Sequence, residues 1–209
     1  MGPRGVPTTG EEVGTPPGPR SVAGLLLAAG GGRRMGGPKA LLDDPSGGTF
    51  LERGLRVLRA SGCDPVVVVL GAGAPEAQPL ATGADTVVVA HDWAQGQSAS
   101  LRAGLEAVSA SAADAVVVLL VDLPDVGPDV VRRVLAATDG GGPASLARAA
   151  YAGVPGHPVV IGRDHWAGVL DVLEGDRGAR DYLAAHPHAT VECGDLAGGE
   201  DADTPADLG

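Results

Sequence analysis

"LLLAAGGGRRMGGPKALL" occupies residues 25–42. A continuous apolar run ends abruptly in glycines, passes two arginines and a Pro-Lys, and turns apolar again. Extended backwards to "SVAGLLLAA", the run shows no alternation, which predicts a strand buried on both faces, as in the middle of a parallel sheet. Glycines after such a strand let backbone N–H groups approach a phosphate closely, and Arg and Lys then offset its charge. The stretch therefore predicts an α/β sheet with an anion site at its carboxyl edge.

Two phosphate-loop patterns fail on it. Aligned on Gly32 and Gly37, G-x-x-x-x-G-K-[ST] fails twice: Pro38 displaces the lysine by one place, and Ala40 after Lys39 has no hydroxyl. G-x-G-x-x-G started at Gly30 meets Met35 at its third glycine, and "GAGAPE" from Gly71 lacks its last glycine as well.

Downstream, strand and helix patterns alternate. "TFLERGLRVLRASG" has helical apolar spacing, a Thr49/Glu52 capping box and Gly62 as a stop. "DPVVVVLG" and "DTVVVAHD" are predicted as buried strands, and "SASLRAGLEAVSAS" as a helix with Ser98 as N-cap. "DAVVVLLVDLP" is predicted as the longest apolar strand, ended by Pro124, and "GPDVVRRVLAATDGG" as a helix with Pro128 in its first turn. Two strands ("PASLARAAYAG", "GHPVVIGR"), two helices ("DHWAGVLDVLEG", "DRGARDYLAAH") and a short strand ("ATVECGD") complete the chain. The order predicts a largely parallel sheet covered on both faces. Three segments then fall at strand ends: the loop after Ala29, the His91-Asp92 segment, and Asp122. Residues 1–20, rich in Gly and Pro and without periodicity, are expected to be a disordered tail before a domain spanning 21–209.

Composition excludes several classes. The 209 residues carry 15 Lys and Arg against 26 Asp and Glu, a formal net charge of -11. That balance argues against a nucleic-acid partner, and aromatics at 2% leave few platforms on which bases could stack. Cys63 and Cys193 are far apart without C-x-x-C spacing, so they form neither a zinc site by themselves nor a disulfide framework. No apolar run reaches the ~18 residues of a membrane span, and the N-terminus lacks a signal-peptide apolar region. A soluble, cytoplasmic protein without a membrane partner is expected.

"LAAGGGRRMGGPK", residues 27–39, resembles the L-A-A-G-x-S-x-R-M-G-x-x-K signature of nucleotidyltransferases similar to molybdenum cofactor cytidylyltransferase and its guanylyltransferase relatives. It matches at Leu27, Ala28, Ala29, Gly30, Arg34, Met35, Gly36 and Lys39, and departs at Gly32, where the family often has Ser. "WAQGQSASLRAGL" is similar to the family segment lining base and ribose, and "LVDLPDV" to its metal-binding G-D-x-P motif. "GHPVVI", "GDRGAR" and "DADTPADL" resemble three further segments in order.

The resemblance implies a three-layer α/β/α, Rossmann-like fold of glycosyltransferase-A type with a mostly parallel mixed sheet. It implies transfer of CMP from CTP to molybdopterin cofactor with release of pyrophosphate. Lys39, Arg34 and Asp122 are then the catalytic candidates. Leu27, Ala28, Ala29, Gly30, Gly32, Gly96, Ser100 and Gly104 are candidates for the nucleotide, and His157, Gly178 and Arg180 for the acceptor. Mg²⁺ is the implied cofactor, with Asp122 as ligand and Asp203, preferred over Asp201, as a second. A nucleoside triphosphate and a small phosphorylated acceptor are the expected partners, together with a molybdoenzyme or its maturation factor. The L-A-A-G form, with Ala29 narrowing the base pocket, favours CTP over GTP. The alternatives are another phosphorylated acceptor, such as a sugar phosphate, or a non-catalytic module that binds and delivers a cofactor.

Overall fold

The structure, a computed structural model, describes residues 20–32, 34–45, 47–138 and 140–202. The tail expected over residues 1–20 lies, Arg20 apart, outside the described residues, as do Arg33 and Asp203.

Among the described residues seven strands form one sheet in the order β3-β2-β1-β4-β6-β5-β7. They are β1 (Val22–Ala28), β2 (Val66–Leu70), β3 (Thr86–Val89), β4 (Ala115–Leu120), β5 (Leu146–Tyr151), β6 (Val154–Gly162) and β7 (Ala189–Glu192). β1 pairs in parallel with both β2 and β4, and β2 with β3. β6 is antiparallel to β4 and to β5, and β7 is parallel to β5. One reversed strand thus makes the sheet mixed.

Among the described residues six α-helices cover it: α1 (Phe50–Ala60), the short α2 (Ala74–Ala77), α3 (Gln97–Ser109), α4 (Pro128–Ala136), α5 (Arg163–Val172) and α6 (Arg180–Ala185). Alternation along the strands separates two cores. Leu26, Val68 and Val117 face α1 and α4 through Leu51, Leu55, Leu58, Val130 and Val134. Leu25, Val67 and Val116 face α3, α5 and α6 through Leu101, Leu105, Val108, Trp166, Val169 and Leu183. The result is the expected three-layer α/β/α arrangement, and β1 is buried along its whole length.

Local chemistry sets the helix ends. In α1, Glu52 N–H donates to Thr49 Oγ1 at 3.3 Å and Thr49 N–H donates to Glu52 Oε2 at 2.7 Å, which completes the capping box. Such a cap contributes about 0.5–2 kcal/mol. Gly62 follows at φ 86°, a conformation that favours glycine at a helix end. Pro128 takes the first position of α4, where its missing N–H costs nothing.

Four expectations need correction. β4 ends at Leu120 and does not run to Pro124; Val121 N–H still reaches Leu27 carbonyl at 3.1 Å, but the chain then turns outward at Asp122. β3 is not doubly buried; it is the edge strand and stays partly exposed. α6 starts at Arg180, so residues 176–179 are turn. Ser98 is not an N-cap. α3 begins at Gln97 after Gly96, and its first N–H groups are taken by a distant loop: Gln97 N–H donates to Asp176 Oδ1 (3.2 Å) and Ser98 N–H to Gly175 carbonyl (3.0 Å). Among the described residues, no helix is long and apolar enough to cross a membrane.

Candidate active site

β1 has β2 on one side and β4 on the other, so the chain order reverses between β1 and β4. Crevices at the carboxyl ends of strands collect ligands at such a switch point. A cleft of about 550 Å³ opens there. One wall is the loop after β1, with Gly30, Gly31, Gly32, Arg34 and Lys39; the other is the first turns of α3 with Trp93, Gly96, Gln97 and Ser100 before and within it. Leu27, Ala29, Leu120 and Asp122 form the sheet edge.

Lys39 and Asp122 meet at this edge. Lys39 Nζ donates to Asp122 Oδ2 at 2.8 Å, with the side chains 12% and 22% exposed. Lys39 opens a short 3-10 turn after Pro38, and Asp122 follows the end of β4. The Asp122 carbonyl also accepts from Ala202 N–H at 2.9 Å, so the chain returns to this edge at residue 202.

The glycine loop closes on itself. Met35 N–H and Gly37 N–H both donate to Gly32 carbonyl, at 2.9 and 3.3 Å. Gly32 has φ 53°, and a β-carbon there would run into the Gly37 carbonyl oxygen. The departure from Ser therefore has a structural reason: this loop needs glycine at position 32 to take its bend. Gly96 is similar, with φ 119° and a β-carbon position 2.6 Å from the Gly175 carbonyl.

The structure brings together Leu27, Ala29, Gly30, Gly32, Arg34, Lys39, Gly96, Ser100 and Asp122 on one cleft. Two nucleotide candidates are elsewhere. Ala28 points to the opposite core, as alternation requires. Gly104 lies on the buried face of α3, where a β-carbon would stand 2.5 Å from Leu25 Cδ1, so its role is helix-to-sheet packing. Trp93, Gln97 and Asp176 also line the cleft and were not singled out from sequence. Trp93 opens the W-x-x-G segment, which was the available signal; Asp176 had none.

The acceptor candidates gather next door. His157, Gly178 and Arg180 line a second cavity of about 50 Å³, which shares Leu27 and Gln97 with the cleft. The His157 side chain keeps some solvent contact but lies deep among neighbouring atoms. This burial, followed by repulsion from Arg148 and Arg180, pushes its imidazole down to about 4. The loop at 175–178 contributes Asp176 to the cleft and Arg177 and Gly178 to the cavity, and it is stitched to α3, with Gly178 N–H donating to Ser98 Oγ at 3.2 Å.

A divalent ion fits the donor set. Mg²⁺ is usually held by one or two carboxylates plus substrate phosphates and water. Asp122 supplies one such carboxylate at the cleft edge. Among the described residues there is no cluster of three or more His, Cys, Asp or Glu that would form an all-protein cage. Elsewhere, burial pushes the Cys63 thiol up to about 12, which makes it unreactive.

A doubly covered sheet with a basic glycine loop and a Lys-Asp pair at its switch point defines an α/β nucleotide-handling protein. Residues 24–190 match the MobA-like NTP transferase domain, and the chain belongs to that family. It is 37% identical to nicotine blue oxidoreductase of Paenarthrobacter nicotinovorans, over 88% of this chain and 92% of that protein. It is 36% identical to a probable molybdenum cofactor guanylyltransferase of Rhodopirellula baltica over 53% of each, so it spans about half the length of that relative. Among solved structures, Rv0371c of Mycobacterium tuberculosis in complex with manganese superposes with a TM-score of 0.63 at 30% identity, covering 83% of this chain and 87% of that one. The fold is that of the family's nucleotidyltransferases, and the chain is a nucleotidyltransferase of this type.

Proposed function

We propose that the cleft binds a nucleoside triphosphate with a divalent ion and transfers its nucleotidyl group to a small phosphorylated acceptor, molybdopterin cofactor being the first candidate. The observation that carries this is the Lys39–Asp122 pair, 2.8 Å apart beside the glycine loop. In the reaction an acceptor phosphate oxygen attacks the α-phosphorus, the bond to the bridging oxygen breaks, and pyrophosphate leaves. Catalysis of this kind is positioning plus charge stabilisation. Lys39 and Arg34 hold the triphosphate and offset the charge that develops. Backbone N–H groups at Gly30 and Gly32 cradle phosphate oxygens, and Gly96, Ser100 and Trp93 bound the base and ribose.

Magnesium, when bound, would supply positive charge to offset that of the phosphates. Asp122 would hold it, with Asp203, next in sequence to Ala202, as the second carboxylate. Manganese in the Rv0371c complex supports a divalent ion of this kind. Arg180, His157 and Gly178 face the acceptor, and the product would pass to a molybdoenzyme or its maturation factor.

The base is where expectation and relatives part. Ala29 is only 4% exposed, and its β-carbon sits close under Gly71. Little of its methyl stands in the cleft, which weakens the argument for a pyrimidine pocket. The relatives with guanylyltransferase names favour GTP. GTP is therefore the first reading and CTP the second.

The test is pyrophosphate release with each of four nucleoside triphosphates, with Mg²⁺ or Mn²⁺, with and without molybdopterin. Release that needs the acceptor and is fastest with GTP is expected. Faster release with CTP restores the Ala29 argument. Tight nucleotide binding without release under any condition means a non-catalytic delivery module.

A further inference from the structure

The glycines that follow β1 are held by little of their own. Among the described residues, the backbone N–H groups of Gly30, Gly31 and Gly32 donate no hydrogen bond, and the carbonyls of Gly30 and Gly31 accept none. Gly32 is anchored through its carbonyl, which takes the N–H groups of Met35 and Gly37. One residue before the glycines, Ala72 N–H donates to Ala29 carbonyl at 3.0 Å and ties this loop to the one after β2.

What stands against Gly31 is a side chain. A β-carbon built there would lie 3.1 Å from both Cη2 and Cζ3 of Trp93, at the far end of the indole. The near end rests on the loop after β2. A β-carbon at Gly71 would lie 2.7 Å from Trp93 Cγ and 2.6 Å from the Ala29 carbonyl oxygen. Gly71 opens "GAGAPE", which fits no phosphate pattern; its place in the fold gives it another use, a seat for an aromatic ring. Trp93 is itself set by a 3-10 turn, Trp93–Gln95, and packs against the core on the α3 side of the sheet.

Backbone donors bind phosphate well only when they are already held in one arrangement. Glycine loses more freedom on ordering than any other residue, so a loop that ordered only on binding would lose affinity. An indole against one side of the segment removes that freedom before a ligand arrives.

We propose that Trp93 is a positioning residue for the triphosphate: seated on Gly71, its indole braces Gly31, and through it Gly30, so that the N–H groups of this loop meet the phosphates already ordered. This rests on the reading that a nucleoside triphosphate lies on the loop. A residue that only walled off base and ribose would act on nucleosides. A brace acts on phosphates whatever base they carry.

Two measurements on the full chain test this, each comparing wild type with Trp93→Ala. The first needs no ligand. Backbone amide order parameters of Gly30 and Gly31 should lie near the rigid value of about 0.85 in the wild type and below about 0.6 in the variant. The second is calorimetric titration in Mg²⁺ with GTP, CTP and inorganic tripolyphosphate, counting the binding that Lys39→Ala abolishes. Trp93→Ala should weaken every ligand that binds by the same factor, about tenfold, on the order of the cost of ordering one backbone residue. Trp93→Phe keeps an aromatic face but is too short to reach Gly31, so it should behave as Trp93→Ala does. Should Trp93→Ala fail to fold, Trp93→Phe serves in both measurements.

Unchanged order parameters overturn the proposal. So does weakening confined to GTP or CTP with tripolyphosphate unaffected, or full affinity in Trp93→Phe. A wild-type chain that binds none of the three overturns the functional reading and this role of Trp93 with it. One that binds them and loses nothing in Trp93→Ala overturns this role alone.

Discussion

The cleft holding Lys39 and the cavity holding Arg148 share Leu27 and Gln97 as a common wall, yet their charges are arranged in opposite ways. In the cleft, the lysine has a carboxylate 2.8 Å away. In the cavity, Arg148 and Arg180 face each other's charge, with no carboxylate among the described residues that line it. The cleft is open and of about 550 Å³; the cavity is about 50 Å³. A paired cation can wait in an empty site at little cost, and it can exchange its partner when a phosphate and a metal arrive together. Arg148, half-buried beside Arg180, is instead desolvated next to a like charge, which pulls it below the ordinary arginine range. The comparison teaches that adjoining cavities of one sheet edge can differ in how their cations are compensated, by a carboxylate in the cleft and, among the described lining residues, by none in the cavity.

The largest effect is expected where the chemistry is assigned. Lys39→Ala should lower kcat by roughly 10²–10³ if Lys39 offsets transition-state charge. Single-turnover rates check this, and a wild-type rate removes Lys39 from the chemistry. Less severe is Gly32→Ala. A side chain in the left-handed region costs about 1–2 kcal/mol, and here it also meets the Gly37 carbonyl. Because about 1.4 kcal/mol is tenfold, KM for the nucleotide should rise about tenfold. An unchanged KM would mean that the bend of this loop does not matter to the nucleotide.

The smallest effect concerns the cavity. His157 is held at about 4 when folded, against an ordinary value near 6.5. Between those values the unfolded chain binds a proton that the folded chain does not, so stability falls as pH is lowered through that window. His157→Gln should reduce the loss of urea-unfolding free energy between pH 7 and pH 5. An equal loss in variant and wild type would show that His157 is not buried against these arginines.

Much of the fold could be read from residues alone, because the deciding signals are local. The unbroken apolar run of β1, the Thr49/Glu52 box and Pro128 each carry their own geometry. Strand order and the reversal of β6 are not local, and no pattern in "GHPVVIGR" announces its direction. The Ser98 reading failed for the same reason: the groups that cap α3 come from Gly175 and Asp176, far along the chain. Gly104 shows another limit, since a glycine that allows close approach does not say whether a ligand or a strand approaches. Arg148 did leave a trace. It sits on β5 between Ala147 and Ala149, which face the opposite core, so it occupies an inward position where an apolar residue belongs.

The central claim is that the bond broken lies at the α-phosphorus of a nucleotide held in the Lys39 cleft. The direct measurement is the fate of label in a nucleoside triphosphate carrying it at either the α- or the γ-phosphate, incubated with the chain, a divalent ion and molybdopterin. The account predicts that α-label moves onto the acceptor while γ-label leaves as pyrophosphate, and that Lys39→Ala slows both together. Alpha-label that stays with free nucleotide, or γ-label released as single phosphate, would contradict it.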